Sequence, residues 1–210
     1  MEVLAPENAI AEGHRVPSFS SSEQRAVAWD LPELAGRLTQ ICASGAGAAL
    51  TSCADLIWKA QQRGEPCAWV GAQASSFFPP DFESSGIDLA ALPFIRTPDA
   101  AAAARAADKL LRSGAFGLVL LDLGSRPSIP SPLLARLLAL ARKHDAAVIL
   151  LLENGAESPS LAPIVSLRVT TSRRRSAPDR FVCTIEAVKD KSRGPGWAHQ
   201  ETFRGPPGLR

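Results

Sequence analysis

The chain has 210 residues, 46% hydrophobic and 21% charged, with a formal net charge of +2. That length supports one sizeable core, since domains run to roughly 100–200 residues, and the apolar fraction excludes wholesale disorder. A membrane span is excluded too, because the longest purely apolar run, Ala146 to Leu152, is far shorter than the about 20 residues a spanning helix needs.

The segment Met1 to Pro17 carries Glu2, Glu7 and Glu12 without a basic start or an apolar stretch, so it does not read as a secretory signal. Residues 1–35, rich in Ser, Pro and Glu, are expected to form an N-terminal arm or a short helix outside the core. From residue 36 the pattern alternates. Leu38 to Cys42 predicts a short strand, followed by the small-residue turn Ala43-Ser44-Gly45-Ala46-Gly47. A helix is expected over about 48–63, where Leu50, Ala54, Ile57 and Trp58 recur at helical spacing and Gly64 supplies the cap. Cys67 to Val70 predicts a second strand, then a loop through Pro79-Pro80, and a brief third strand over Leu92 to Ile95. Pro98-Asp99 opens an alanine-rich helix that stops before Gly114. Leu118 to Asp122 and Ala147 to Leu152 read as further strands around an amphipathic helix from Pro132 to His144. Uninterrupted apolar strands separated by helices indicate an α/β fold with a mostly parallel sheet covered on both faces. Beyond Ile164 the pattern changes to Val165–Thr171 and Arg180–Val188, expected as antiparallel strands at the C-terminal edge with Arg173-Arg174-Arg175 in the turn between them. The core is therefore bounded at 36–192, and 193–210 reads as a flexible tail rich in Gly, Pro and Arg.

Cys42, Cys53, Cys67 and Cys183 show no CxxC spacing and read as reduced core thiols of a cytoplasmic protein. Only His14, His144 and His199 could join them as zinc ligands, so no metal site is expected. The small net charge hides an asymmetry. From Arg168 onward there are ten basic and four acidic residues, against thirteen and seventeen before it. Such a basic end on a mildly acidic body suits an anionic partner.

A strand ending in a glycine-containing turn that leads into a helix is the geometry that cradles phosphates, and a later apolar strand ending in Asp is its metal-associated companion. Both elements occur here, in Cys42 to Ala49 with Gly45 and Gly47, and in Leu118 to Asp122. The chemistry does not accompany them. A working loop needs a Lys for the β/γ-phosphates and a hydroxyl for Mg²⁺, and Ala48 and Ala49 follow Gly47. Thr51 and Ser52 could offer a hydroxyl in a shifted register, but the next Lys is Lys59. Neither ATP hydrolysis nor a bound cofactor is expected.

The order of segments resembles the RecA core. Gly36-Arg37-Leu38-Thr39-Gln40-Ile41 is similar to its opening strand, and Trp58 to Arg63, Gly64 and Cys67-Ala68-Trp69-Val70 to its next helix and strand. Ser85-Gly86-Ile87-Asp88, Thr97-Pro98-Asp99 and Arg112-Ser113-Gly114-Ala115 continue the likeness, which runs in order to Val188-Lys189-Asp190-Lys191. The resemblance implies a RecA-like fold, with Lys189 and Lys191 matching lysines that reach a neighbouring subunit's ATP. It also implies that the phosphate-binding Lys and hydroxyl fall at Ala48 and Ala49, and the water-activating acid at Gln73. The segment matching the long DNA-contacting loop is short, Glu153 to Pro163, with no room for an outer polymerisation helix or C-terminal domain. A small RecA-like chain with a degenerate nucleotide site is similar to the ImuA group of SOS-mutagenesis accessory proteins. That likeness implies RecA, an ImuB-type polymerase homologue and an error-prone replicative polymerase as partners in translesion synthesis. The SulA cell-division inhibitors, which bind the tubulin-like division protein, are the second likeness.

Each singled-out residue carries a functional and a plain reading. Asp122 is a retained metal-site carboxylate, or a strand-end carboxylate capping nearby N–H groups. Lys189 and Lys191 alternate on a strand, either as a pair donated to a RecA protomer or as lysines blunting an edge. Arg173, Arg174 and Arg175, with Arg168 nearby, contact DNA or an acidic partner, or are solvated. Phe77 and Phe78 cannot easily both face inward, which points to an interaction surface. His144 beside Lys143 favours a helix end.

Overall fold

Short apolar segments alternate with helices through the first two thirds of the chain. A computed structural model, which describes residues 27–43, 47–72, 75, 77–155 and 157–205, gathers them into one sheet. In chain order the elements are α1 (Leu31–Leu34), β1 (Leu38–Cys42), α2 (Ala49–Gln62), β2 (Cys67–Gly71), α3 (Pro79–Glu83), β3 (Phe94–Arg96), α4 (Ala100–Ser113), β4 (Leu118–Asp122), α5 (Ser131–Lys143) and β5 (Ala147–Leu152). Three longer strands follow, β6 (Leu167–Ala177), β7 (Arg180–Asp190) and β8 (Ala198–Arg204). The order across the sheet is β3-β2-β4-β5-β1-β6-β7-β8. Neighbours from β3 to β6 are parallel, and β7 pairs antiparallel with both β6 and β8, so β7 alone runs against the rest.

The continuous apolar strands are explained by cover on both faces. On one face Ile41, Trp69, Leu120 and Ile149 pack with Leu56 and Ile57 of α2 and with Trp29 and Leu34 around α1. On the other, Leu38, Val70, Leu121, Val148 and Leu150 meet Ala103, Ala107 and Leu111 of α4 and Leu137 of α5. The alanines let α4 approach closely. That helix starts where the Asp99 carboxylate accepts the Ala102 N–H at 2.6 Å, and it ends at Gly114, whose φ of +70° suits glycine. The α/β class, the largely parallel sheet and the antiparallel C-terminal edge stand as expected. Among the described residues no helix is long and apolar enough to cross a membrane. All four cysteines are buried and none forms a disulfide.

Several local expectations are corrected. Pro79 and Pro80 open α3 rather than a loop, because proline suits a first turn that needs no donor. Pro98 lies two residues before α4, with Asp99 between them as the cap. The third strand is Phe94–Arg96, with buried Leu92 before it. The arginine run Arg173 to Arg175 belongs to β6, paired with Cys183, Val182 and Phe181, and the chain turns at Pro178-Asp179 instead. Exposed arginines look like a turn in sequence, but the projecting end of β6, exposed from Ser172 to Ser176 while paired with β7, accommodates them.

The expected boundaries also move. Trp29, Leu31 and Leu34 are buried in the core, so the end of the expected N-terminal arm is part of the domain; residues 1–26 lie outside the described residues. The expected tail supplies β8 as the sheet's edge, with Trp197 buried just before it. Strand β7 is consequently an inner strand. Lys191 stands in the turn after it, and the pairing register shifts between Lys189 and Ala187, so the two lysines are not alternating positions on an edge strand.

Candidate functional site

The parallel strands β1, β2 and β4 all end at one edge of the sheet, the usual ligand position in such folds. The backbone is zipped across this edge. Ala43 N–H donates to Leu152 O at 2.8 Å, Ala72 N–H to Asp122 O at 2.9 Å and Leu123 N–H to Leu151 O at 3.0 Å.

At the start of α2, Ala48 is the cap residue, with no side-chain cap, and Ala48 and Ala49 are both buried. The start of α2 therefore presents two methyl groups, with neither an ammonium nor a hydroxyl at these two residues. Neither nearby alternative replaces them. The Ser52 hydroxyl donates back to Ala48 O at 2.9 Å. Lys59 Nζ lies against Asp55 at 2.7 Å and Glu201 at 3.0 Å, and donates to Trp29 O at 3.2 Å. That lysine ties α2 to β8. Burial raises the Asp55 carboxyl to about 6 against the pull of Lys59. The Glu201 carboxyl, which burial alone would raise, is held below its ordinary value by Lys59 and His199. Gly47 is half-buried, while Gly45 and Gln73 lie outside the described residues.

Asp122 is fully buried at the end of β4, and its carboxylate accepts the Ser75 hydroxyl at 2.7 Å. Ser75 sits over Gly71, where an added Cβ would come within 2.7 Å of the serine side chain. The partner described for the Asp122 carboxylate is thus a hydroxyl from the segment after β2. Burial, and then the Asp122 charge, push the Cys53 thiol up, away from thiolate chemistry.

The reading of Arg168 is corrected. It is buried on β6 opposite Gln40, so it is not an exposed contact residue. Its guanidinium donates to Cys42 Sγ at 3.3 Å, to Gly155 O at 3.4 Å and to Ser158 O. Gln40 Oε1 in turn accepts from Leu161 N–H at 2.9 Å. Together they fix the chain between β5 and β6. Gln40 was the missed residue, and its signal was a lone amide inside the strand Leu-Thr-Gln-Ile-Cys.

The remaining candidates divide between the two ends of the sheet. β1 ends at Cys42 opposite Thr170, so β6 continues from Thr171 to Ala177 beyond the carboxyl edge and carries Arg173, Arg174 and Arg175 with it. Arg180 and Arg204 are paired across β7 and β8 on the same ribbon, giving five arginines at its tip. Arg173 lies over the Phe181 ring, 5.1 Å from its centroid. Lys189 and Lys191 lie toward the amino edge, separated from Arg174 by roughly 25 Å of strand at about 3.3 Å per residue. Lys189 Nζ donates to Pro163 O at 3.3 Å. Burial, then Lys191 and Arg168, lower its pKa, the mark of a local excess of positive charge. Beside it Asp190 accepts from Arg37 at 2.5 Å and from the Trp197 indole at 2.9 Å, a junction unforeseen from sequence. Of the phenylalanines, Phe77 is packed between Trp69, Phe82 and Phe94 at centroid distances of 5.2, 4.7 and 4.5 Å, which corrects its assignment as a surface contact. Phe78 is 57% exposed. His144 caps the C-terminal end of α5.

Geometry therefore defines an α/β protein with a mostly parallel sheet, buried alanines at the start of α2, and two separate cationic surfaces. No family model matches the chain, and no curated protein matches it.

Proposed function

We propose that this chain is a non-hydrolysing RecA-like accessory protein of the DNA-damage response. It binds RecA, and works beside an ImuB-type polymerase homologue and an error-prone replicative polymerase, limiting recombination in favour of translesion synthesis. The observation that carries the reading is the pairing of two features. In the sequence a glycine-containing segment links β1 to α2, and buried Ala48 and Ala49 stand where the resemblance expects the Lys and hydroxyl of a phosphate loop. The Lys189/Lys191 pair stands toward the other end of the sheet, with Lys191 exposed. A subunit that stacks head to tail needs its reaching cations at the end away from its own nucleotide turn. Seven strands running one way and one against them, with the antiparallel strands at the C-terminal edge, agree with the RecA-like reading of the fold.

The mechanism is mimicry. The chain offers the lysine surface to the ATP of a terminal RecA protomer, and the next protomer finds no functional nucleotide site, so growth stops there. Mixed with RecA on single-stranded DNA, the wild-type chain shortens filaments and slows strand exchange, and Lys189→Ala/Lys191→Ala does neither. Unchanged filament length, strand exchange and RecA ATPase rate with the wild-type chain refute the proposal. So does micromolar ATP·Mg²⁺ binding by the chain alone in calorimetry.

A further inference from the structure

A third charged feature lies on the helical face, away from the sheet edge and the ribbon. Helices α4 and α5 border a shallow groove of about 570 Å³, lined by Arg105, Lys109 and Arg112 from α4 and Leu133 and Arg136 from α5, with Asp108 at its base. Arg105, Lys109 and Arg112 recur at helical spacing, which aligns them along one side. Asp108 is buried and holds two of the cations: its carboxylate lies 2.5 Å from Arg112 Nη2 and 2.6 Å from Arg136 Nε. Both arginine side chains remain more than half exposed, at 56% and 53%. One buried carboxylate thus fixes two guanidinium groups from different helices in place, while their other N–H groups face the groove. Four cations against one anion leave a strong positive excess, although this region belongs to the acidic part of the sequence.

We infer that the α4–α5 groove is a docking site for an acidic polypeptide segment of a partner protein. Charge complementarity selects the anion. Fixed guanidinium forks suit carboxylates, and half-buried Leu133 between them offers an apolar contact for a side chain of the same segment. Nucleic acid fits less well. No aromatic side chain lines the groove to stack an unpaired base, and a recess between two packed helices does not admit a duplex. The site is independent of the RecA reading, since neither the lysine pair nor the degenerate turn contributes to it.

Fluorescence anisotropy tests it directly. The probe is a short fluorescein-labelled peptide of repeating Glu-Glu-Leu-Glu, with a Gln-Gln-Leu-Gln peptide and a labelled oligothymidine as comparators. The acidic peptide binds the full chain, the glutamine peptide does not, and added salt weakens the complex. Arg105→Glu/Lys109→Glu lowers the peptide's affinity by about tenfold or more, whereas Arg174→Glu/Arg180→Glu leaves it within about twofold. Both replaced groove residues are exposed, so circular dichroism and thermal melting show each variant folded. Absence of acidic-peptide binding overturns the inference. So does an affinity insensitive to reversal in the groove, or oligothymidine binding that is at least as tight and is lost with the same groove variant.

Discussion

The two halves of the sheet obey different rules. Every residue of β4 and β5 is buried, whereas β8 alternates between exposed and half-buried along its length. The first half is sandwiched by helices on both faces. The second presents Arg174, Thr202 and Arg204 from a face that no helix covers. In the buried half Ala48, Ala49 and Asp122 are all part of the packing. In the open half the charges remain available to a partner.

The sharpest way to break this contrast is to remove the same kind of group from each half. Ile149 in β5 is 1% exposed and surrounded by Ile41, Leu120 and the α2 face. Ile149→Ala loses transfer energy and leaves a cavity, costing about 2–5 kcal/mol. Val182→Ala on the half-buried ribbon costs less than about 1 kcal/mol, since little of its surface is withdrawn from water. Urea unfolding of both variants decides the matter: similar losses mean that the ribbon is packed as tightly as the parallel half.

A smaller effect is expected at the seam between the halves. Asp190 joins the end of β7 to Arg37 before β1 and to Trp197 before β8. Burial alone would raise its carboxyl, but the Ser192 N–H, the Trp197 indole and Arg37 outweigh it and hold the pKa below the ordinary 3.8. A carboxyl depressed in the folded state stabilises above its unfolded pKa, and that contribution is lost as pH falls through the folded value. Asp190→Asn therefore costs about 2 kcal/mol at neutral pH. The gap between wild type and variant narrows below about pH 4, and denaturant melts at neutral and acid pH read the change. A gap that is constant with pH means that the charge of Asp190 is irrelevant to the seam.

What could be read beforehand divides along the same line. β1, β4 and β5 were legible to the residue, because an apolar run between a capped helix and a turn has few other uses. The identity of the alanines at 48 and 49 is read from the sequence alone, and the structure adds that both are buried. The ribbon was harder. Arg173 to Arg175 broke the apolar pattern and suggested a turn, though a strand end exposed at every residue from Ser172 to Ser176 tolerates arginine on either face. Arg168 carries the same charge as these three and serves the opposite purpose. Only its opposition to Gln40, set by strand register, puts it inside. The α4–α5 groove was invisible for a similar reason, since Asp108 and Arg136 come together only when the two helices pack.

The finest test addresses the ribbon without disturbing the fold. Arg174→Glu/Arg180→Glu alters exposed side chains for which no ion pair is seen among the described residues. Surface charges of this kind contribute little to stability, so the unfolding free energy should move by less than about 0.5 kcal/mol. Association should change instead. If the ribbon meets phosphates or an acidic protein face, reversing two charges removes favourable long-range attraction and adds repulsion, which slows association and flattens its dependence on salt. Titrating the wild-type and reversed chains against RecA-coated and bare single-stranded DNA, at low and at physiological salt, separates the two surfaces. Loss on bare DNA alone assigns the ribbon to nucleic acid. Loss on the RecA filament alone assigns it to protein, alongside Lys189 and Lys191. Equal binding by both chains at low salt excludes the ribbon as a contact surface and leaves the amino-edge lysines to carry the interaction.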